Sequence, residues 1–367
     1  MSFLRTVLPI ALLASNALAQ TFTDCNPLNS TCPDDPALGT TYPEVFNSSS
    51  QTELDVGFWN TTAGGSLMSF TDGGLELTLS EKGQSITAQS QFYIMFGTLE
   101  VIMEAAPGTG IISSLVLLSD DLDEIDVEIM GGNASFAESN WYGWGDQNQR
   151  NALYHPVDNV HNQHNYTIEW SQQQLIWHID GNAVRTVPYA KPHEYPQSPC
   201  FIRFGIWAGG DSNQEGTVAW AGGKTDWSQG PFTMKVQSVK VTDATTNVTS
   251  YSYGDNSGSY QSIKSDPGES KFEKLMNKVS KTQAVVNHFN SLSTGAKIGI
   301  ACGIAGVLLV GIIGFAVFCI KQRRAGKREK ALADQSWNEQ AAELDAYRQR
   351  MARGDFAIQH MGHGEKY

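Results

Sequence analysis

Asp123-Glu124-Ile125-Asp126-Val127-Glu128 sets three carboxylates on alternate positions of a short apolar segment. Residues 113–118 before it and Ile129-Met130 after it are strand-like, so the segment reads as a β-strand. Side chains alternate faces along a strand, so Glu124, Asp126 and Glu128 share one face and Ile125 and Val127 fill the other. Around it the chain continues as short strands with turn punctuation: residues 75–79, 93–105, 111–118, 165–170, 175–179, 201–207, 217–220 and 232–241. Asp180-Gly181-Asn182 is a hairpin signal between two of them. Between about residues 40 and 245 no convincing amphipathic helix interrupts this pattern, which suits one all-β sandwich with a sizeable core.

The ends of the chain predict where it works. Residues 1–19 carry Arg5, an apolar run and Ala17-Leu18-Ala19, the pattern of a secretory signal peptide. Residues 298–320 form an uncharged apolar run of 23 residues, long enough to span a bilayer, followed at once by Lys321, Arg323, Arg324, Lys327 and Arg328. The positive-inside rule then predicts a single-pass plasma-membrane protein with residues 20–297 outside and 321–367 as a cytoplasmic tail. Forty-seven mostly polar residues follow the apolar run, unlike the hydrophobic end of a lipid-anchor signal. A globular domain is expected over 20–245 and a Ser/Gly-rich linker and juxtamembrane segment over 246–297, with a short helix at 271–289. The tail is helix-prone, best over 331–353. Gly295, Gly299 and Gly303 could seat a helix dimer, although small residues are common in spans.

The tail holds ten Lys and Arg against seven Asp and Glu, so in a chain of net charge −13 the remainder carries an acidic excess of 16. That argues against nucleic acid and polyanions as partners and suits neutral or cationic ligands better. Sequons begin at Asn29, Asn47, Asn60, Asn133, Asn165 and Asn247, all on the expected outer side. Cys25 and Cys32 are expected to form a disulfide in that oxidising compartment. Cys200 has no obvious partner and reads as a buried thiol. Cys302 and Cys319 lie in the apolar run, where Cys319 is an acylation candidate or an ordinary apolar filler.

Three like charges on one strand face repel and gain nothing from packing, so the pattern needs a chemical reason. Carboxyl groups flanking a glycosidic bond supply one. Cα atoms four residues apart on a strand are roughly 13 Å apart. Glutamate side chains leaning toward a ligand can bring the carboxyls near the ~5–5.5 Å of retaining glycosidases. One glutamate would attack the sugar and the other would protonate the leaving oxygen. Asp126 is too short to replace either, but can hydrogen-bond a neighbour and push the pKa values apart. A solvated acidic face or a calcium site is the non-catalytic alternative, although no further oxygen-ligand loop follows.

The hexapeptide meets the E-[IL]-D-x-E pattern and resembles the active-site strand of glycoside hydrolase family sixteen. Residues 105–114 and 119–123, Tyr166-Thr167-Ile168-Glu169-Trp170, Ile179-Asp180-Gly181, residues 205–211, Trp220-Ala221-Gly222-Gly223 and residues 230–234 resemble its fungal Crh branch, in the same order. The resemblance covers about residues 25–245. It implies a concave, concanavalin-like β-jelly roll and retaining chemistry, with Glu124 as nucleophile, Asp126 as its helper and Glu128 as acid/base. It also implies chitin as donor and β-glucan or chitin as acceptor, joined by transglycosylation in the fungal cell wall. Residues 139–145 depart from the branch, which bears on the acceptor sugar.

Pyranose rings stack on aromatic faces. Trp141, Trp144, Trp207, Trp220, Trp227 and Tyr93 are candidates for this, with Asn140, Gln147 and Arg203 as hydroxyl contacts; core packing explains any single Trp as readily. His161 and His164 have H-x-x-H spacing without a third ligand cluster, so neither a metal nor a cofactor is expected. The alternatives to transfer are an endo-hydrolase of β-glucan or chitin using the same residues, and a non-catalytic wall-binding or sensor protein.

Overall fold

The computed structural model describes residues 22–146, 151–190 and 194–353, so the expected signal peptide and Gln147 lie outside the described residues. The chain divides into two units, Met1–Lys281 and Thr282–Tyr367.

The first unit is an antiparallel sandwich. Its seven-stranded sheet runs Leu153–Pro156, Phe136–Tyr142, Glu124–Met130, Ile111–Ser119, Cys200–Ala208, Ser85–Ile94 and Trp59–Ala63. The eight-stranded sheet runs Asn182–Pro188, Gln174–Ile179, His164–Trp170, Gly97–Glu104, Phe232–Asp243, Gly74–Leu79 and Met68–Thr71, with Thr41–Val45 also on Phe232–Asp243. One core lies between them, built from Ile125, Val127, Ile129, Leu115, Leu117, Phe204, Leu99, Val101, Trp177 and their neighbours. The all-β sandwich expected from the strand pattern is therefore present.

Local chemistry explains where the strands break. Residues 93–105, expected as one strand, are two: Phe96 and Gly97 adopt φ of 63° and 126°, turning Ser85–Ile94 into Gly97–Glu104. The Asp180-Gly181 turn has positive φ at both residues, as a tight hairpin requires. Residues 217–220, expected as strand, belong to a helix, Glu215–Trp220. Tertiary contact overrides propensity there, because the Trp220 indole stacks on Trp207 with centroids 5.9 Å apart.

The expected linker is corrected. Val248–Tyr253 pairs with Asp35–Pro36 on one side and Ile263–Pro267 on the other in a third sheet, and the helix Lys271–Ser291 buries Phe272 in the core. The low-complexity composition hid a strand whose register shift lets Val248 and Tyr251, three residues apart, both be buried. The Tyr251 hydroxyl donates to the Asp243 carboxylate at 2.8 Å, which also accepts from the Gly39 and Met95 amides. Burial pushes Asp243 up to about 6 despite these bonds. The globular part thus extends well past residue 245.

Cys25 and Cys32 are bonded, with Cα atoms 5.8 Å apart, and Cys200 is a buried free thiol. In the second unit one helix, Thr294–Ala352, starts at Ser293, whose side chain accepts from the Ala296 amide. Among the described residues no helix is long and apolar enough to cross a membrane. Within the 298–320 run the side chains of residues 298, 300–305 and 307 lie outside the described residues.

If the 248–267 hairpin is integral to the sandwich, Tyr251→Ala removes a buried ring and the hydroxyl on Asp243. Urea unfolding should then show a loss of roughly 3–5 kcal/mol; an unchanged midpoint would mean the hairpin is an appendage.

Candidate active site

The strand Glu124–Met130 lies between two neighbours whose register decides what surrounds each carboxylate. Tyr142 stands opposite Glu124, Asn140 opposite Asp126 and Glu138 opposite Glu128. On the other side Leu118, Val116 and Ser114 face the same three residues. One strand further, Phe201, Arg203 and Gly205 continue the rows, and beyond them Tyr93 continues the first row and Gln89 the second. Period-two alternation therefore gathers four carboxyls, Glu124, Asp126, Glu128 and Glu138, on the face opposite the core.

This face is polar in the middle and apolar at both ends. Val116, Leu118 and Phe201 form a buried cluster with Tyr93 packed on it, and Ile112, Met130 and Ala221 form another under Trp207 and Trp220. The charges sit in poorly hydrated surroundings, and Asp126 is 1% exposed. Burial, then the charges of Glu124 and Glu138, push Glu128 well above the usual carboxylate range. Asp126 rises for the same first reason, and the charges of Glu128, Glu124 and Glu138 add to it. Its Oδ1 has no hydrogen-bond partner among the described residues. Burial also raises Glu138, against hydrogen bonds from Trp220 Nε1 (2.9 Å) and Tyr154. The two ends differ in charge: the Arg203 guanidinium interacts favourably with Glu124, whereas Glu128 faces a fourth acid.

The strand is braced from behind. Trp177 Nε1 donates to the Asp126 carbonyl at 3.0 Å. Arg185 stacks on Trp141 and Trp177 and donates to the Ser139 carbonyl and hydroxyl, both at 2.8 Å. Asp123, the first residue of the motif, has a structural role. Fully buried, it accepts from the amides of Trp144 (2.9 Å), Gln197 (2.6 Å) and Ser198 (3.0 Å) and ties two loops to the strand entrance.

The predicted residues separate by face. Tyr93, Asn140, Arg203, Trp207 and Trp220 lie on the face or at the end of the carboxylate strip. Arg203 is held by Gln89 (2.8 Å) and stacks over Phe201 and Phe22, 4.9 Å from each centroid. Tyr93 donates to Asp120 at 3.2 Å. Trp141 does not join them: it stands opposite Ile125, and its Nε1 donates to the Glu194 carbonyl. Trp144 lies beyond the strand end, its indole beside Gly258. Trp227 bonds Asp211 and packs edge-on to Phe232. His161 and His164 diverge, to the Ala105 carbonyl and to Asp180. Glu138, Tyr142 and Tyr154 were missed. The signal for the first two was Glu138-x-Asn140-x-Tyr142, a same-face alternation in a stretch not recognised as a strand. A pocket of about 490 Å³ lined by Trp170 and residues 171–174 touches none of the four carboxyls.

Residues 57–229 match the sequence profile of glycosyl hydrolases family 16. Crh-like protein 3 of Aspergillus fumigatus is 43% identical over 95% of this chain and 95% of its own. Crh-like protein 2 of Botryotinia fuckeliana is 42% identical over 91% of this chain and 74% of its own. Among solved structures, a Crh5 transglycosylase in complex with NAG is 44% identical and superposes with a TM-score of 0.62, covering 66% of this chain and all of its own.

Glu138 has a measurable consequence. Its charge holds the Glu128 proton on, so Glu138→Gln lowers the Glu128 pKa. If Glu128 acts protonated, the alkaline limb of the pH–activity profile moves to lower pH, whereas an unmoved limb would mean that Glu138 only anchors Trp220. Asp123→Ala leaves three backbone amides without their acceptor, two of them buried, and should cost roughly 3 kcal/mol in chemical unfolding.

Proposed function

The chain belongs to glycosyl hydrolases family 16, among the Crh-like proteins, and from that premise we propose that it cleaves chitin and transfers the released chain to a β-glucan or chitin acceptor. Glu124 attacks the anomeric carbon, Glu128 protonates the departing glycosidic oxygen, and Asp126 steadies Glu124 between the two steps. The observation that carries this reading is the unequal surroundings of the two glutamates. Glu124 has the Arg203 cation in its field, which favours the anionic nucleophile. Glu128 is half-buried, and partial desolvation and the Glu138 charge opposite it both favour the protonated acid. Once the first sugar has left, deprotonated Glu128 takes a proton from the incoming hydroxyl, and the glycosyl–Glu124 ester is broken by the acceptor rather than by water. The apolar clusters at both ends of the strip support that choice, since stacked acceptor sugars exclude water there.

Tyr93 and Arg203 would then line the Glu124 side, Trp207 and Trp220 the Glu128 side, and Asn140 the middle. The reading places the enzyme at the cell surface. The 298–320 run with its basic flank supports a single membrane span, with the sandwich outside and 321–367 in the cytoplasm.

Fluorescent chito- or laminari-oligosaccharides serve as acceptors, with unlabelled chitin or β-glucan as donors. Labelled products longer than the acceptor are expected, and Glu128→Gln should slow their formation by about 10²–10⁴-fold. Shortened donor without labelled adduct would make the protein a hydrolase. No product from any pair would leave a wall-binding protein.

A further inference from the structure

Asn133, the first residue of the Asn133-Ala134-Ser135 sequon, is exposed on the turn that follows the carboxylate strand. That turn is tightly held. Gly131 donates to the Ile111 carbonyl (2.8 Å) and accepts from Gly108 (3.0 Å), and Asn133 donates to the Met130 carbonyl (3.0 Å). Val160 and Val157 donate to the Ala134 and Ser135 carbonyls, at 2.8 and 2.9 Å. A Cβ on Gly131 would lie 2.4 Å from the Ala106 carbonyl oxygen, so the turn approaches its neighbour as closely as a glycine permits. Asn133 spends its Oδ1 on the Ser135 amide at 2.9 Å, and no hydrogen bond engages its Nδ2 among the described residues.

Asn133 is also on the wall of a pocket of about 300 Å³, which it shares with Thr109, Met130, Phe136, Tyr154 and Trp220. Phe136 and Tyr154 are 38% and 50% exposed, an aromatic rim left open among the described residues. Trp220 and Tyr154 are the two side chains that hydrogen-bond Glu138, which stands opposite Glu128. A sugar on Asn133 would therefore start inside an aromatic pocket one side chain removed from the carboxylate strip.

We propose that Asn133 carries an N-linked glycan whose first N-acetylglucosamine packs against the Phe136, Tyr154 and Trp220 rings and narrows the Glu128 end of the polysaccharide-binding face. The modification is ordinary secretory chemistry. Asn133 Nδ2 displaces the pyrophosphate of a lipid-linked oligosaccharide at its anomeric carbon, so that an N–C bond forms, the C–O bond to pyrophosphate breaks and Nδ2 loses one proton. The apolar face of the pyranose covers rings that are otherwise wet. Acceptor chains long enough to reach the pocket then compete with the protein's own sugar, and short ones do not. This consequence for acceptors rests on the transfer reading above; the seating of the glycan does not.

The test uses the full-length protein made in a fungal secretory host. Glycopeptide mass spectrometry should find Asn133 occupied in the wild type and vacant in both Asn133→Gln and Ser135→Ala, the latter keeping the asparagine. Hydroxyl-radical footprinting should show oxidation of Phe136, Tyr154 and Trp220 rising in both variants. Rates with long acceptors should rise roughly 2- to 10-fold while those with the shortest stay unchanged. A vacant Asn133 in the wild type, or an occupied one with identical footprints in all three proteins, overturns the proposal. A wild type that elongates no acceptor contradicts the transfer reading alone, because the occupancy and the footprints still decide where the glycan sits.

Discussion

Four carboxyl groups share one face of a sheet whose other face is the hydrophobic core, and the rest of the structure follows from keeping them there. The pleat makes the separation absolute: a slip of one residue would drive Glu124, Asp126 and Glu128 into the sandwich and expose Ile125 and Val127. Burying Ile125, Val127 and Ile129 thus pins the register that aligns Glu138 with Glu128 and Asn140 with Asp126. Core packing and site geometry are one constraint seen from two sides. The concentration of like charge has its chemical consequence here, since burial and mutual repulsion hold protons on Asp126 and Glu128 that an exposed strand would release.

Buried polar braces make this arrangement rigid. Asp123 gathers three backbone amides at the entrance of the strand, Trp177 holds the Asp126 carbonyl, and Arg185 presses on the neighbouring strand from the core side. The hairpin of residues 248–267 is tied by Tyr251 to Asp243, which also holds the Gly39 and Met95 amides. Each brace is a carboxylate or carbonyl whose partners are satisfied within the fold, the condition under which buried polar groups stabilise. A strand that does not shift keeps Glu124 and Glu128 at one separation, as the proposed double displacement would require.

How much of this was legible in the sequence depended on whether local pattern or tertiary contact decided the matter. The alternation Glu124-Ile125-Asp126-Val127-Glu128 is local, and it revealed the strand and its two faces. The partner of each carboxylate was not legible, because cross-strand pairing is set by turns and core packing far along the chain. Trp141 and Asn140 were grouped together, although adjacent residues of a strand face opposite ways; the missing step was to read residues 136–142 as a strand. The segment over 248–267 looked like linker because Ser, Gly and Tyr dominate it, yet Val248 and Tyr251 carry the packing. Residues 217–220 looked like strand and are helix, where Trp220 stacks on Trp207 and bonds Glu138, contacts no local propensity reveals. The role of Asp123 was invisible for the same reason, as its three donors lie 21, 74 and 75 residues away.

The central claim is that Glu124 and Glu128 do different work because their surroundings differ, and trapping the intermediate tests it most directly. Full-length Glu128→Gln protein, given a chitin oligosaccharide with an activated leaving group that needs no acid, should accumulate a glycosyl ester because its second step lacks a base. Peptide mass spectrometry should locate that sugar on Glu124. A sugar on another residue, or turnover of the activated substrate with inversion at the anomeric carbon and no adduct, would contradict the account.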